Sequence, residues 1–165
     1  MRRTYMIMNK NRISVIILLS VVFLVLLSLF IAVLAERYLP HKSTSPNEVK
    51  IVIDGDTFEL NSGERVRLIC IDAPEKGKEG YNESKDYLER LVLGREVRLE
   101  KDVSEYDENG RLLRYVYLGD LFVNLEMVRG GYASYFKYGN DTRLCPLIEE
   151  GEKSAKNNSL GIWAL

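Results

Sequence analysis

Hydrophobicity along this chain follows two regimes. Ile13 to Ala35 is a run of 23 residues without a single charge, nearly all aliphatic. From Glu48 onward, apolar and polar positions instead alternate in short blocks separated by turn residues. A helix rises 1.5 Å per residue, so about 20 apolar residues span the hydrocarbon core of a bilayer. The first run therefore predicts one N-terminal transmembrane helix, and the rest predicts a separate globular domain.

Within the second regime the pattern reads first as strands. Val49-Lys50-Ile51-Val52-Ile53 is β-branched and stops at Asp54-Gly55, a turn signal between apolar runs. Thr57 to Leu60 is a second strand. Asn61-Ser62-Gly63 turns it into Arg65-Val66-Arg67-Leu68-Ile69-Cys70-Ile71, which reads as one continuous third strand stopped by Pro74. Asn82 to Val92 reads as a helix, with Asn82 or Ser84 as cap, an apolar stripe of Tyr87, Leu88, Leu91 and Val92, and Gly94 at its end. Glu96 to Glu100 alternates as a strand, Asp107 to Gly110 is a turn, and Leu112 to Leu118 is a strand. Gly119-Asp120 turns the chain towards Leu121-Phe122-Val123. A short helix covers Asn124 to Arg129 and ends at Gly130-Gly131. A last helix covers about 146–157, followed by Leu160-Gly161-Ile162-Trp163. Five short strands with helices inserted and appended predict an α+β fold, a β-barrel with helices: a five-stranded Greek-key barrel of OB type with about three α-helices.

The flanks of the apolar run set its direction. Arg2, Arg3, Lys10 and Arg12 precede it with no acid among them. The positive-inside rule keeps such an end in the cytoplasm and sends the domain across. Two readings stay open. The run exceeds the 7–15 residues of a usual signal h-region, which favours an uncleaved anchor. Val33-Leu34-Ala35 would also suit a signal peptidase, and the domain would then be secreted. Tyr38 to Asn47 has linker composition, with Pro40, Ser43, Thr44, Ser45 and Pro46. The division is thus a basic cytoplasmic segment 1–12, an anchor 13–35, a linker 36–47 and a domain 48–165.

Charge narrows the function classes. Residues 47–165 hold 17 basic and 23 acidic side chains, a formal −6, so the basic surface of a non-specific nucleic-acid binder is missing in bulk. His41, the single histidine, lies in the linker, which rules out a His-based triad or a His-rich zinc site in the domain. Cys70 and Cys145 are the only cysteines. In an oxidising compartment they can pair; alternatively Cys70, within an apolar run, is a small buried hydrophobe. The sequons at Asn82, Asn140 and Asn157 matter only in a host that glycosylates.

The candidate chemistry sits in two acidic segments, Asp54-Gly55-Asp56-Thr57 and Asp72-Ala73-Pro74-Glu75. Calcium takes about six to eight oxygen ligands, commonly a few carboxylates with carbonyls and water. Asp56 follows a tight turn and Asp72 a strand end, and in a barrel the two can meet. Asp is also common in solvated turns for local hydrogen-bonding reasons, so the acids alone leave both readings open. Arg67 either faces solvent on the outside of the sheet or points into a pocket, where its planar fork can grip a phosphate. Arg111 stands at a loop-to-strand junction, open to plain solvation or to the same use.

Asp54-Gly55-Asp56-Thr57, then Arg67 through Glu75, then Asp107-Glu108-Asn109-Gly110-Arg111, then Gly161-Ile162-Trp163 resemble the thermonuclease (staphylococcal nuclease-like) family, in the same order across nearly all of 48–165. The resemblance implies an OB-type barrel with three helices and calcium-dependent hydrolysis of phosphodiester bonds in DNA and RNA, leaving 3′-phosphates. It implies Asp56 and Asp72 as calcium carboxylates and the Ala73 carbonyl as a further ligand, although the family's best-known member has threonine at that place. It implies Glu75 as general base, Arg67 and Arg111 as phosphate-contacting catalytic arginines, and Asp54 as a supporting acid. The tyrosine-rich segment 132–138 resembles the region that stacks a base, with Tyr135, Phe136 and Tyr138 as the platform; partly buried loop aromatics are the competing reading. The match there is inexact, and the loop Lys76 to Tyr81 is shorter than in the best-known member. A non-catalytic OB-type module binding nucleic acid or protein is the alternative function; the complete set of Asp56, Asp72, Glu75, Arg67 and Arg111 argues against it.

Overall fold

The computed structural model describes residues 10–38, 45–137 and 139–164. The chain divides into two compact units, 1–42 and 43–165. The first contains helix α1, Lys10–Tyr38. Within it, Ile16–Leu34 is long and apolar enough to cross a membrane, with mean hydropathy 3.3. Its two described serines do not leave their hydroxyls unpaired: Ser20 Oγ donates to the Ile17 carbonyl at 2.7 Å and Ser28 Oγ to the Val25 carbonyl at 2.8 Å.

The second unit is built on one mixed sheet. Its strands are β1 (Val49–Val52), β2 (Thr57–Leu60), β3 (Arg65–Leu68), β5 (Arg98–Glu100) and β6 (Leu112–Leu118), in the order β1-β2-β3-β6-β5. The pairings are antiparallel except for β3 with β6, which run parallel with Val66 opposite Leu112. A short β7 (Leu121–Phe122) pairs with β6, and β4 (Ile71–Asp72) pairs with β8 (Ser134–Tyr135) in a separate two-stranded ladder. Among the described residues no ladder joins β5 to β1. The isolated bridge between Glu48 and Glu96, with the Val49 N–H donating to the Arg95 carbonyl at 3.0 Å, ties the start of β1 to the chain just before β5. The sheet is therefore OB-like but not closed into a continuous barrel.

Helices α2 (Tyr81–Val92), α3 (Val123–Arg129) and α4 (Cys145–Asn157) cover the core. Phe58, Leu60, Leu68, Tyr115, Leu88, Met127 and Ile148 are all fully buried in it. Against expectation, neither Asn82 nor Ser84 caps α2. Gly80 does, in a left-handed conformation, and Ser84 is fully buried one turn in.

The third strand also differs from its pattern. It stops at Leu68, and the chain turns through Cys70, whose φ is +64°, before β4 begins. Buried Asn124 fills the gap: its Nδ2 donates to the Ile69 carbonyl at 2.9 Å, while its Oδ1 accepts the Val116 N–H at 2.9 Å. The cysteine pairing left open by the sequence is resolved here. Cys70 and Cys145 form a disulfide with Cα atoms 5.4 Å apart.

The C-terminal segment docks through two glycines. The Ile162 N–H donates to the Gly131 carbonyl at 2.8 Å. A Cβ on Gly131 would meet the Leu160 carbonyl oxygen at 2.1 Å, and one on Gly161 would meet the Gly131 carbonyl oxygen at 2.1 Å. Both glycines have positive φ, so a side chain is disfavoured by backbone and by space together. Gly131→Ala is expected to destabilise the domain by more than about 1 kcal/mol. Thermal unfolding checks this, and an unchanged midpoint would show the close approach to be dispensable.

Candidate active site

The acidic turn after β1 is shaped by local hydrogen bonds. The Asp56 N–H donates to Asp54 Oδ1 at 3.1 Å, the turn chemistry expected of an Asx residue. Gly55 lies where a Cβ would meet Ser84 Oγ at 1.8 Å and Ala73 Cβ at 2.7 Å. The turn is thus pressed against α2 and against the segment that carries the second acidic cluster.

Asp56 is 6% exposed. Its Oδ1 accepts from Thr57 Oγ1 at 2.9 Å and its Oδ2 from the Ala73 N–H at 2.8 Å. Arg67 Nη1 lies 3.2 Å from the same Oδ2. Burial raises the carboxyl strongly, and the neighbouring Asp54 charge adds to this. Arg67 and the two hydrogen bonds oppose it, and the net result pushes Asp56 up to about 7. The acid is held in a place where its charge is incompletely compensated.

Arg67 connects the two acidic segments. Its Nη2 donates to Asp72 Oδ1 at 3.0 Å, and its Nη1 donates to the Leu68 carbonyl at 3.1 Å. The arginine side chain is 13% exposed and that of Asp72 is 48% exposed. The guanidinium therefore points into the pocket and not outward from the sheet.

Arg111 is held from the opposite side. Asp107 Oδ1 accepts the N–H groups of Asn109 and Arg111, each at 2.9 Å, and Oδ2 accepts Arg111 Nε at 2.6 Å. Arg111 Nη1 then donates to Thr57 Oγ1 at 3.2 Å. Thr57 in turn bonds Asp56, so one chain of contacts runs from Asp107 through Arg111 and Thr57 to the buried acid. Burial alone would raise Asp107, but the hydrogen bonds from Arg111 and Asn109 outweigh it and hold the carboxyl below its ordinary value.

The acids and both arginines line one open cleft of about 190 Å³, together with Glu75, Leu113 and Phe136. Asp54, Asp56, Arg67, Asp72, Ala73, Glu75 and Arg111, all singled out from the sequence, meet there. Glu75 is exposed, and Phe136, 47% exposed, stands at the rim. Tyr135 is not part of the lining; it packs against the hydrophobic core, and its N–H donates to Glu152 Oε1 at 2.9 Å. Tyr138 lies outside the described residues. Sequence reasoning missed Thr57 and Asp107 as partners of Arg111. The available signals were the threonine closing the first acidic motif and an Asp four residues before an Arg across a Gly turn.

A cleft with convergent acids on one wall and two arginines beside them suits an anionic group held next to a cation. On an OB-like sheet with three packed helices, that arrangement defines a phosphodiester-cleaving class of domain. The comparison with known proteins bears this out. Residues 65–165 match the family described as Staphylococcal nuclease homologue. The chain is 34% identical over 157 residues to the thermonuclease of Staphylococcus intermedius, covering 84% of this chain and 94% of that protein. It is 32% identical over 122 residues to the thermonuclease of Staphylococcus hyicus, covering 68% and 72%. It is 34% identical over 117 residues to an uncharacterized endonuclease of Escherichia coli O157:H7, covering 68% and 73%. The chain belongs to the staphylococcal nuclease family, and it is a nuclease.

The Asp107–Arg111 clamp yields a stability prediction. A carboxyl held below its unfolded value contributes fully above about pH 4 and loses that contribution as pH falls through the folded value. Asp107→Asn should cost about 1–3 kcal/mol at neutral pH, because Arg111 loses a charged acceptor. Denaturant unfolding of parent and variant should show the gap shrinking in acid; a gap that widens in acid would contradict the clamp.

Proposed function

We propose that this chain is a calcium-dependent nuclease that hydrolyses phosphodiester bonds of DNA and RNA and leaves 3′-phosphates. In this reading residues 1–12 are cytoplasmic, 13–35 anchor the chain, 36–47 link, and 48–165 form a catalytic domain outside the membrane. The observation that carries it is the Arg67 guanidinium set between the Asp56 and Asp72 carboxylates in a cleft shared with Arg111 and Glu75.

The donor set suits a hard cation. Asp56 and Asp72 would offer carboxylate oxygens, and the Ala73 carbonyl and water would complete an all-oxygen shell of the kind calcium accepts. Among the described residues no group of three or more His, Cys, Asp or Glu side chains is arranged to hold a metal ion. In this reading Asp56 and Asp72 are the protein's charged share, with Asp54 adding negative charge close by. A bound calcium ion would add positive charge beside the scissile phosphate.

The chain's own residues supply the rest. Arg67 and Arg111 hold the phosphate and offset the negative charge that gathers on its oxygens in the transition state. Asp107 and Thr57 fix the Arg111 head so that little orientation is lost on binding. Glu75, at the open side of the cleft, takes the proton of the attacking water on a carboxylate oxygen. Phe136, exposed among the cleft residues, offers an aromatic surface for a base.

The test uses the full chain in detergent with single-stranded DNA. Cleavage is expected with calcium and lost with a chelator; no cleavage in either condition would sink the reading. Glu75→Gln should lower turnover by about 10²–10⁴-fold, and Arg111→Gly by about 10²–10³-fold, each in a folded protein by circular dichroism. Full activity of Glu75→Gln would remove the base assignment. Protease added to intact cells tests the topology, since an external domain is digested and an internal one is protected.

A further inference from the structure

We propose that the Cys70–Cys145 disulfide is a positioning device for the cleft, holding residue 70 in the left-handed conformation that brings Asp72 to Arg67. The inference rests on the proposed roles of those two residues.

Along a strand, side chains alternate between faces at about 3.3 Å per residue. Arg67 and Asp72 are five positions apart, so in one continuous strand they would point to opposite faces and stand roughly 16 Å apart. In the structure Arg67 Nη2 and Asp72 Oδ1 are 3.0 Å apart. The change of direction falls between the end of β3 at Leu68 and the start of β4 at Ile71. Cys70, within that gap, has φ +64°. Apart from glycines, Cys70 and Ser159 are the described residues with positive φ. A left-handed conformation is unfavourable for a residue with a Cβ and persists where the surroundings impose it.

What imposes it at Cys70 is a covalent bond to the first residue of α4. Both cysteines are buried, at 1% and 2% exposure. The segment before α4 is itself fixed. Asp141 Oδ1 accepts the N–H groups of Val103 and Ser104 at 2.9 and 2.8 Å, and the Leu144 N–H donates to Tyr115 Oη at 3.1 Å. Cys145 is thus a firm anchor, and the strain at Cys70 is carried by the link to it. The same residue holds the cleft rim, because the Phe136 N–H donates to the Cys70 carbonyl at 3.1 Å. Glycine adopts positive φ without this cost, so a glycine at position 70 can replace the geometric function of the bond without the bond.

Two double variants of the full chain separate positioning from simple stabilisation: Cys70→Ala with Cys145→Ala, and Cys70→Gly with Cys145→Ala. Both lose the cross-link, so any fall in thermal midpoint from losing it is shared. The alanine variant is expected to lose about tenfold or more in kcat/KM, in the range that misplacement of a site by an ångström produces. It should also bind calcium more weakly by calorimetry. The glycine variant is expected to recover most of both. Parental cleavage by the folded alanine variant, or equal losses in both, overturns the proposal. Should the alanine pair not fold, Cys145→Ala alone takes its place, since it breaks the bond and keeps the Cβ at residue 70. Equal activity of that variant and the glycine pair overturns the proposal, and a lower activity of the single variant supports it. An inactive parent is a different outcome, because it removes the reading of the site itself.

Discussion

Two carboxylates from separate segments share one guanidinium in the cleft of this domain, and much of the surrounding structure makes that possible. Asp56 is buried and Asp54 stands beside it. Removing a carboxylate from water costs several kcal/mol unless charge and hydrogen bonds compensate. Arg67, the Thr57 hydroxyl and the Ala73 N–H provide part of that compensation. The burial that makes Asp56 costly also gives its charge reach, because interactions strengthen where water is excluded. The acids are more than solvated turns because Arg67 faces inward and bridges them.

The backbone delivers these groups through a few constrained points. Gly55 lets the first acidic turn lie against Ser84 and Ala73 where a methyl group would collide. Cys70 reverses the course between β3 and β4. Asn124 then takes up the Ile69 carbonyl exposed by that break. Gly131 and Gly161 let two backbones touch and bring the C-terminal turn onto the helical side of the domain. Each point trades intrinsic backbone preference for a placement that tertiary packing rewards, a pattern common at functional sites.

The domain's formal charge of −6 and its arginine pair are compatible because they act at different ranges. Net charge governs long-range encounter and is screened within about 8 Å at physiological salt. In the proposed reading Arg67 and Arg111 act at contact distance inside the cleft. A substrate phosphate there would meet two guanidinium groups already held by ion pairs, whatever the average charge of the surface. The two arginines differ in support: Arg67 is held by Asp56 and Asp72, and Arg111 by Asp107 and Thr57.

The periodicity of the chain by itself determined the apolar segment, the three packed helices within a residue or two, and most of the strands, because those follow from local alternation and turn chemistry. The short motifs likewise determined which acids and arginines belong to the cleft. Three things were decided only by tertiary structure. The third strand looked continuous because Ile69, Cys70 and Ile71 are good strand residues, and the left-handed residue at the break is bonded to one 75 positions away, invisible to any local pattern. Which way Arg67 faced was undecidable for the same reason, since the break is what places Asp72 on its side. Thr57 and Phe136 gained their places through partners 54 and 66 positions distant in sequence. Such contacts are set by how the sheet folds over itself and not by spacing along the chain.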